Sequence, residues 1–243
     1  MNIGIIGAGH IGATLAQKLA AAGHHVKVAN SRGAASLHDL AARIGVTAAA
    51  REEAAKDVQA IIAAPLHRVL ELAELLRGVR SGVPVIDTSN DHPVLKGQLP
   101  ALDAGQVESL WVSEQLGRRV IKAWNAVLAE TLRSRGKPAG VAGRLALPVA
   151  GDDAAGKRLA AQLVEATGFD AVDAGPLSES WRQQPGTPAY CTELTLSELH
   201  SALQAADQQR APSNRDAATQ RPMTWRGAPT HDDMIQNSRD SAV

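Results

Sequence analysis

Residues 1–32, MNIGIIGAGHIGATLAQKLAAAGHHVKVANSR, read as a strand, a glycine turn, a helix and a second strand. Apolar residues run together over 2–6, recur at helical spacing over about 11–22, and alternate again over 25–29. Between the first strand and the helix lies Gly7-Ala8-Gly9-His10-Ile11-Gly12, a G-x-G-x-x-G where a dinucleotide-binding turn requires one. Gly7 allows a sharp exit from the strand, Gly9 leaves no side chain between backbone and pyrophosphate, and Gly12 lets helix and strand pack closely. The first amides of the helix, with its dipole, then face the phosphates. A glycine-rich turn in another α/β fold is the alternative, and the flanking strand, helix and strand argue against it.

The second strand runs into Asn30-Ser31-Arg32-Gly33. An NAD-preferring site carries an acidic residue near this point to accept from the ribose 2′-OH. Neutral Asn30 repels nothing there, Ser31 brings a hydroxyl, and Arg32 a planar guanidinium suited to phosphate. The pattern therefore reads as NADP(H), against the alternative of a solvated Ser-Arg-Gly turn.

Working outward, strands are expected at 46–48, 58–64, 83–87, 120–123, 145–149 and 170–173, with helices over 37–44, 66–76, 107–116, 130–135 and 151–167. Residue Pro65 ends the fourth strand, and residues 91–104 read as a loop. This alternation predicts right-handed crossovers and a doubly wound, mostly parallel α/β sheet, the Rossmann arrangement, over residues 1–176. Residues 177–243 form a second region: a proline-containing loop, a helix over 194–206, and a tail from 207 rich in Gln, Asn, Arg and Pro. So polar a tail predicts only short or conditional structure.

In such a sheet the ligand lies beyond the carboxyl ends of the strands. Those ends are 7–12, 30–32, Ala64-Pro65-Leu66, Thr88-Ser89-Asn90 and Ala123-Trp124-Asn125. The first two suit pyrophosphate and 2′-phosphate. Ala64 and Pro65 fall beside the nicotinamide ribose, Asn90 and Asn125 can bond the carboxamide, and Trp124 offers a flat face for a ring or else packs in the core. His10 reads as a phosphate contact or a solvated turn residue, and His67 as a surface residue. Lys122 with Asn125 makes a K-x-x-N in which Lys122 is either a general acid or, in preference, a salt-bridged lysine. Neither a nucleophile elbow nor a Cys/His metal pattern occurs, and no metal site is expected.

The 243 residues hold 25 Lys+Arg and 25 Asp+Glu, so no net field recruits nucleic acid or an anionic membrane. A single cysteine, Cys191, excludes an internal disulfide, fits a reducing compartment and reads as a packed thiol. The N-terminal apolar run lacks a basic flank and is broken by glycines, unlike a signal peptide. No stretch is long and apolar enough to span a bilayer, so a soluble, cytoplasmic protein is expected. Oligomeric state stays open, a homodimer through the C-terminal segment being compatible with the pattern.

Five motifs occur in order: the glycine turn with Ser31-Arg32, D-T-S-N at 87–90, V-I-K-A-W-N at 120–125, A-G-D-D at 150–153 and D-A-G-P-L-S at 173–178. Together, over about residues 1–190, they resemble the coenzyme F420-dependent NADP oxidoreductase family, whose members reduce a deazaflavin with NADPH. They are also similar to the NADPH-binding domain of six-transmembrane ferric reductases, which pass hydride to a flavin. The resemblance implies that Gly9, His10, Ile11, Ser31 and Arg32 bind NADP, with Ala64, Asn90, Ala123 and Asn125 around the nicotinamide. It also implies direct hydride transfer between stacked rings, to F420 or a flavin. The K-A-W-N pattern and the polar tail depart from the archaeal deazaflavin enzymes, so the acceptor is left open. The other readings are a β-hydroxyacid dehydrogenase-like carbonyl or imine reductase using Lys122, and a non-catalytic NADP(H) sensor.

Overall fold

The computed structural model describes residues 1–64 and 66–242, without the side chains of His67 and Lys96. Strand β1 (Asn2–Ile6) leads through helix α1 (His10–Ala21) to β2 (His25–Ala29), then α2 (His38–Ile44) and the short β3 (Thr47–Ala48). Helix α3 (Arg51–Ala54), β4 (Ala60–Ala63), α4 (Val69–Leu76) and β5 (Val85–Asp87) follow. After two single-turn helices, α5 (Pro93–Lys96) and α6 (Pro100–Asp103), come α7 (Glu108–Leu116), β6 (Val120–Lys122) and α8 (Ala129–Ser134).

These strands form one six-stranded sheet in the order β3-β2-β1-β4-β5-β6, parallel at every pairing. The order reverses between β1 and β4, which opens a crevice beyond their carboxyl ends. Strand β4 is buried at all four positions, as a central parallel strand covered on both faces should be. One core packs α1 against the sheet through Ile3, Ile5, Leu15 and Leu19, and the other packs α4 and α7 through Ile61, Val85, Leu72 and Val112. The doubly wound class expected from the sequence is the one observed.

Three local differences have physical reasons. Residues 91–104 hold two helical turns rather than loop alone, each opened by a proline at its first position, where the missing N–H costs nothing. Strands β7 (Ala146–Val149) and β8 (Asp170–Asp173), linked by α9 (Ala154–Ala166), form their own two-stranded parallel sheet instead of widening the first. Among the described residues the backbone link to the first sheet is the antiparallel bridge of Lys122 with Ala150, the residue after β7, while Leu147 and Val149 pack in the core beside Ile86 and Ile121.

The third is the tail. After α10 (Leu196–Ala205), residues expected to show little structure form α11 (Ala211–Gln220) and α12 (His231–Ser241). Polar groups, not an apolar stripe, hold them. Arg215 bonds Asp91 at 3.2 Å, Asn214 donates to the Gly186 carbonyl, and both Nε and Nη2 of Arg239 donate to the Thr192 carbonyl. Thr230 and Asp233 make a capping box for α12, and Ile235 supplies its one buried large apolar side chain. Among the described residues no helix is long and apolar enough to cross a membrane.

Candidate functional site

The glycine turn connects β1 to α1 as its spacing requires. Gly7 adopts φ +123°, a conformation closed to most side chains, and its N–H donates to the Ala29 carbonyl at the end of β2. A Cβ on Gly12 would lie 1.9 Å from the Gly7 carbonyl oxygen, so close packing of α1 on the turn depends on that glycine. At Gly9 nothing lies within 4 Å of where a Cβ would be, and the backbone faces open space. No carboxylate occupies the first turn of α1, whose leading amides have no partners within the helix.

Gly7, Ala8 and Gly9 form the floor of a cleft of about 370 Å³. Asn30, Ser31 and Arg32 line one side, and Ala64, Arg68, Glu71 and Leu72 the other. The residues present fit a phosphorylated dinucleotide at its adenosine and pyrophosphate half. A phosphate can approach the backbone at Gly9, and Arg32, Arg51 and Arg68 bring guanidinium groups to the lining of the same cleft.

Individual residues take different parts. Ser31 and Arg32 are exposed on the cleft wall. Asn30 lines the cleft, but its amide serves the turn: Oδ1 accepts from the Arg32 N–H at 2.9 Å, and Nδ2 meets the Ser36 hydroxyl at 3.0 Å. His10 is exposed at the start of α1, while Ile11 packs partly on the core. Ala64 is exposed in the cleft; Pro65 and the His67 side chain lie outside what is described.

The expected nicotinamide side is arranged differently. None of Asn90, Ala123, Trp124 and Asn125 lines the cleft. Trp124 is corrected from a ring platform to a core residue: it is 1 % exposed, and its Nε1 donates to Thr167 Oγ1. Its backbone sits at φ +55°, which turns the side chain inward after β6. Ala123 is fully buried. Asn125 is corrected as well, because its amide is consumed inside the protein. Nδ2 donates to Asn90 Oδ1 at 3.0 Å and to the Gln183 carbonyl at 2.7 Å, and Oδ1 accepts from Gln183 Nε2. Half-buried Asn90, which donates to the Asn125 carbonyl, is the member of this network nearest solvent.

Lys122 does not reach the crevice. Its ammonium is wholly buried, 3.2 Å from Glu108, 3.4 Å from Asp87, and donates to the Ser89 carbonyl at 2.6 Å. Burial works to lower its pKa, but the two carboxylates outweigh burial and raise it. Burial also raises Glu108 above the usual glutamate range, which Lys122 and the Asp91 N–H only partly offset. The proton-donor role considered for Lys122 is therefore replaced by a structural one, tying β5, β6 and α7 together. Among the described residues no cluster of His, Cys, Asp and Glu could hold a metal ion.

Sequence reading missed Arg51, Arg68 and Glu71 around the cleft and Gln183 behind Asn125. None lies in a motif, and only the folding of α3, α4 and the 177–183 turn brings them near.

Residues 2–91 match the family described as NADP oxidoreductase, coenzyme F420-dependent. The Escherichia coli K12 protein YjhV is 38 % identical over 102 residues, 42 % of this chain and 74 % of YjhV. The solved structure of Sinorhizobium meliloti SMa0349 superposes with a TM-score of 0.68 at 32 % identity, covering 81 % of this chain and 95 % of that one. An Arthrobacter sp. FB24 protein, proposed to be an F420-dependent NADP-reductase, gives a TM-score of 0.60 at 25 % identity over 74 % of this chain and 87 % of its own. With its glycine turn, neutral Asn30 and cleft-facing Arg32 in a sheet of this order, the chain belongs to the coenzyme F420-dependent NADP oxidoreductase family.

Proposed function

We propose that this protein is an NADPH-dependent oxidoreductase that passes hydride directly between NADP(H) and a deazaflavin, a flavin or a similar planar acceptor. The observation that carries this reading is the cleft over Gly7 and Gly9, walled by Ser31 and Arg32, within a family of NADP oxidoreductases. When bound, NADPH supplies a hydride from its nicotinamide ring. The chain's own residues bind and orient. The turn amides and the α1 N-terminus hold the pyrophosphate, and Arg32 with Ser31 holds the 2′-phosphate. Lys122, through its bond to the Ser89 carbonyl, ties the segment after β5 to β6. No proton donor is needed in the cleft for transfer between stacked rings.

The test is NADPH oxidation, followed by loss of reduced-nicotinamide absorbance, with F420, FMN, FAD, ferric chelates and simple carbonyls offered in parallel. Turnover with F420 or a flavin, and none with carbonyls, is the expected result. Turnover with carbonyls alone would replace the reading by a carbonyl reductase. Tight NADPH binding with no turnover on any acceptor would replace it by a sensor.

A further inference from the structure

Arg51 opens α3 and Glu71 lies in the first turn of α4, twenty positions apart in the chain. Their side chains meet across the mouth of the cleft, Arg51 Nη1 to Glu71 Oε2 at 2.7 Å, and Arg68 Nη1 stands 3.7 Å from the same oxygen. Both partners are partly exposed, and an ion pair so placed contributes little to stability. Its consequence is positional.

Arg51 and Glu71 line the cleft over the glycine turn, and they also line a second cleft of about 710 Å³ between α3 and α4. The pair is thus the partition between the two. Charge differs on its two sides. Toward the glycine turn stand the guanidiniums of Arg32, Arg51 and Arg68 with Glu71 as the carboxylate among them. Beyond the partition, Glu52, Glu53, Asp57 and Glu74 outnumber Lys56 and Arg80, which makes the second cleft acidic on balance and less favourable to phosphate. An anion at the outer end of the first cleft is therefore drawn to its arginines and kept from the neighbour.

A guanidinium carries five donors in a fixed fork, and the bond to Glu71 engages one nitrogen. The rest of the fork can serve a second oxyanion without releasing the first. Resting on the reading of this cleft as the NADP(H) site, we infer that Arg51 is a second ligand of the 2′-phosphate. Arg51 lines the same cleft as Arg32, and Glu71 holds it there as a positioning residue. Glu71 does so at a cost: its negative charge lies beside the incoming phosphate.

The experiment is calorimetric titration, without any acceptor, of the full chain and its R32A, R51A, R51K and E71Q variants. The probes are NADPH, NADH, adenosine 2′,5′-bisphosphate and adenosine 5′-phosphate. R51A should lose about tenfold or more for the two 2′-phosphorylated probes, the size expected for a charge-assisted hydrogen bond, and change by less than about twofold for the other two. R51K should recover part of the loss. In E71Q the amide oxygen still accepts from Arg51 while the repelling charge is gone, so NADPH should tighten and NADH stay the same. Equal effects of R51A on NADPH and NADH, no effect on either, or weakening of both by E71Q would overturn the inference. If the parent chain binds NADPH and R32A loses it while R51A does not, this inference alone falls. If the parent chain binds neither dinucleotide, the reading of the cleft falls with it.

Discussion

The Lys122 ammonium lies 3.2 Å from the Glu108 carboxylate, and neither side chain has appreciable contact with water. Asp87 is equally buried and completes the cluster: Ser109 donates to Oδ2, the oxygen that also faces Lys122, and Ser89 donates to Oδ1. Taking Lys122 away leaves two carboxylates buried without their cation. Lys122→Met should cost about 3–5 kcal/mol, the range for breaking a buried pair by removing one partner. Urea unfolding followed by circular dichroism checks this. NADPH affinity of the folded fraction should be little changed, because the ammonium does not reach the cleft. A stable variant that had lost only turnover would instead return Lys122 to the reaction.

Arg32 stands exposed on the cleft wall, and its backbone N–H is held by Asn30 Oδ1. Arg32→Ala should weaken NADPH about 10- to 100-fold, since charge-assisted hydrogen bonds are worth about 1.5–3 kcal/mol, and leave NADH within about twofold. Equilibrium binding of both dinucleotides measures the difference. Equal loss for the two would remove the 2′-phosphate assignment.

The glycines of the turn separate binding from folding. Gly12→Ala drives a methyl group onto the Gly7 carbonyl, which must displace α1 and should lower thermal stability along with cofactor affinity. Gly9→Ala meets nothing within the protein. Its melting temperature should match the parent's while NADPH binding is lost, because the methyl group occupies the space where pyrophosphate approaches the backbone. Thermal melts with and without NADPH distinguish the two.

Cys191 is buried and pushed up to about 12 from an ordinary 9.0, chiefly by burial. Its folded pKa is raised, so the stability it contributes is present below the unfolded value and lost as pH rises. Above pH 9 the unfolded chain releases the thiol proton while the folded chain keeps it. Stability should therefore fall by about 1.4 kcal/mol per pH unit from this group until its folded pKa is reached. Cys191→Ala should flatten the first part of that decline, before Lys122 and Tyr190, both also raised, begin to titrate in the unfolded chain. Urea midpoints across that range test it, and an unchanged slope in Cys191→Ala would refute it.

The fate of the tail shows where sequence reading stopped. Apolar periodicity identifies helices that dock by hydrophobic area, and α10, with Leu199 and Leu203 buried, is of that kind. Helices α11 and α12 dock through Arg215, Asn214, Asn237 and Arg239 on carbonyl and carboxylate groups far away in the chain. No local pattern announces such bonds. The capping box Thr230–Asp233 was the signal present in the sequence for α12.

The sequence by itself determined the Rossmann body and the meeting of the glycine turn with Ser31 and Arg32 at one cleft, because those depend on neighbours in the chain. Gly7, Gly9 and Gly12 act on one turn, Ser31 and Arg32 follow directly from β2, and parallel crossovers admit one hand. Tertiary structure alone decided which way the residues at and just beyond the end of β6 face. Asn125 turned to Gln183, 58 positions on, Lys122 turned to Asp87 and Glu108, and Trp124 turned into the core. The reason is desolvation. A buried ammonium, amide or indole must find its partners wherever the fold brings them, and those partners are set by packing rather than by spacing along the chain.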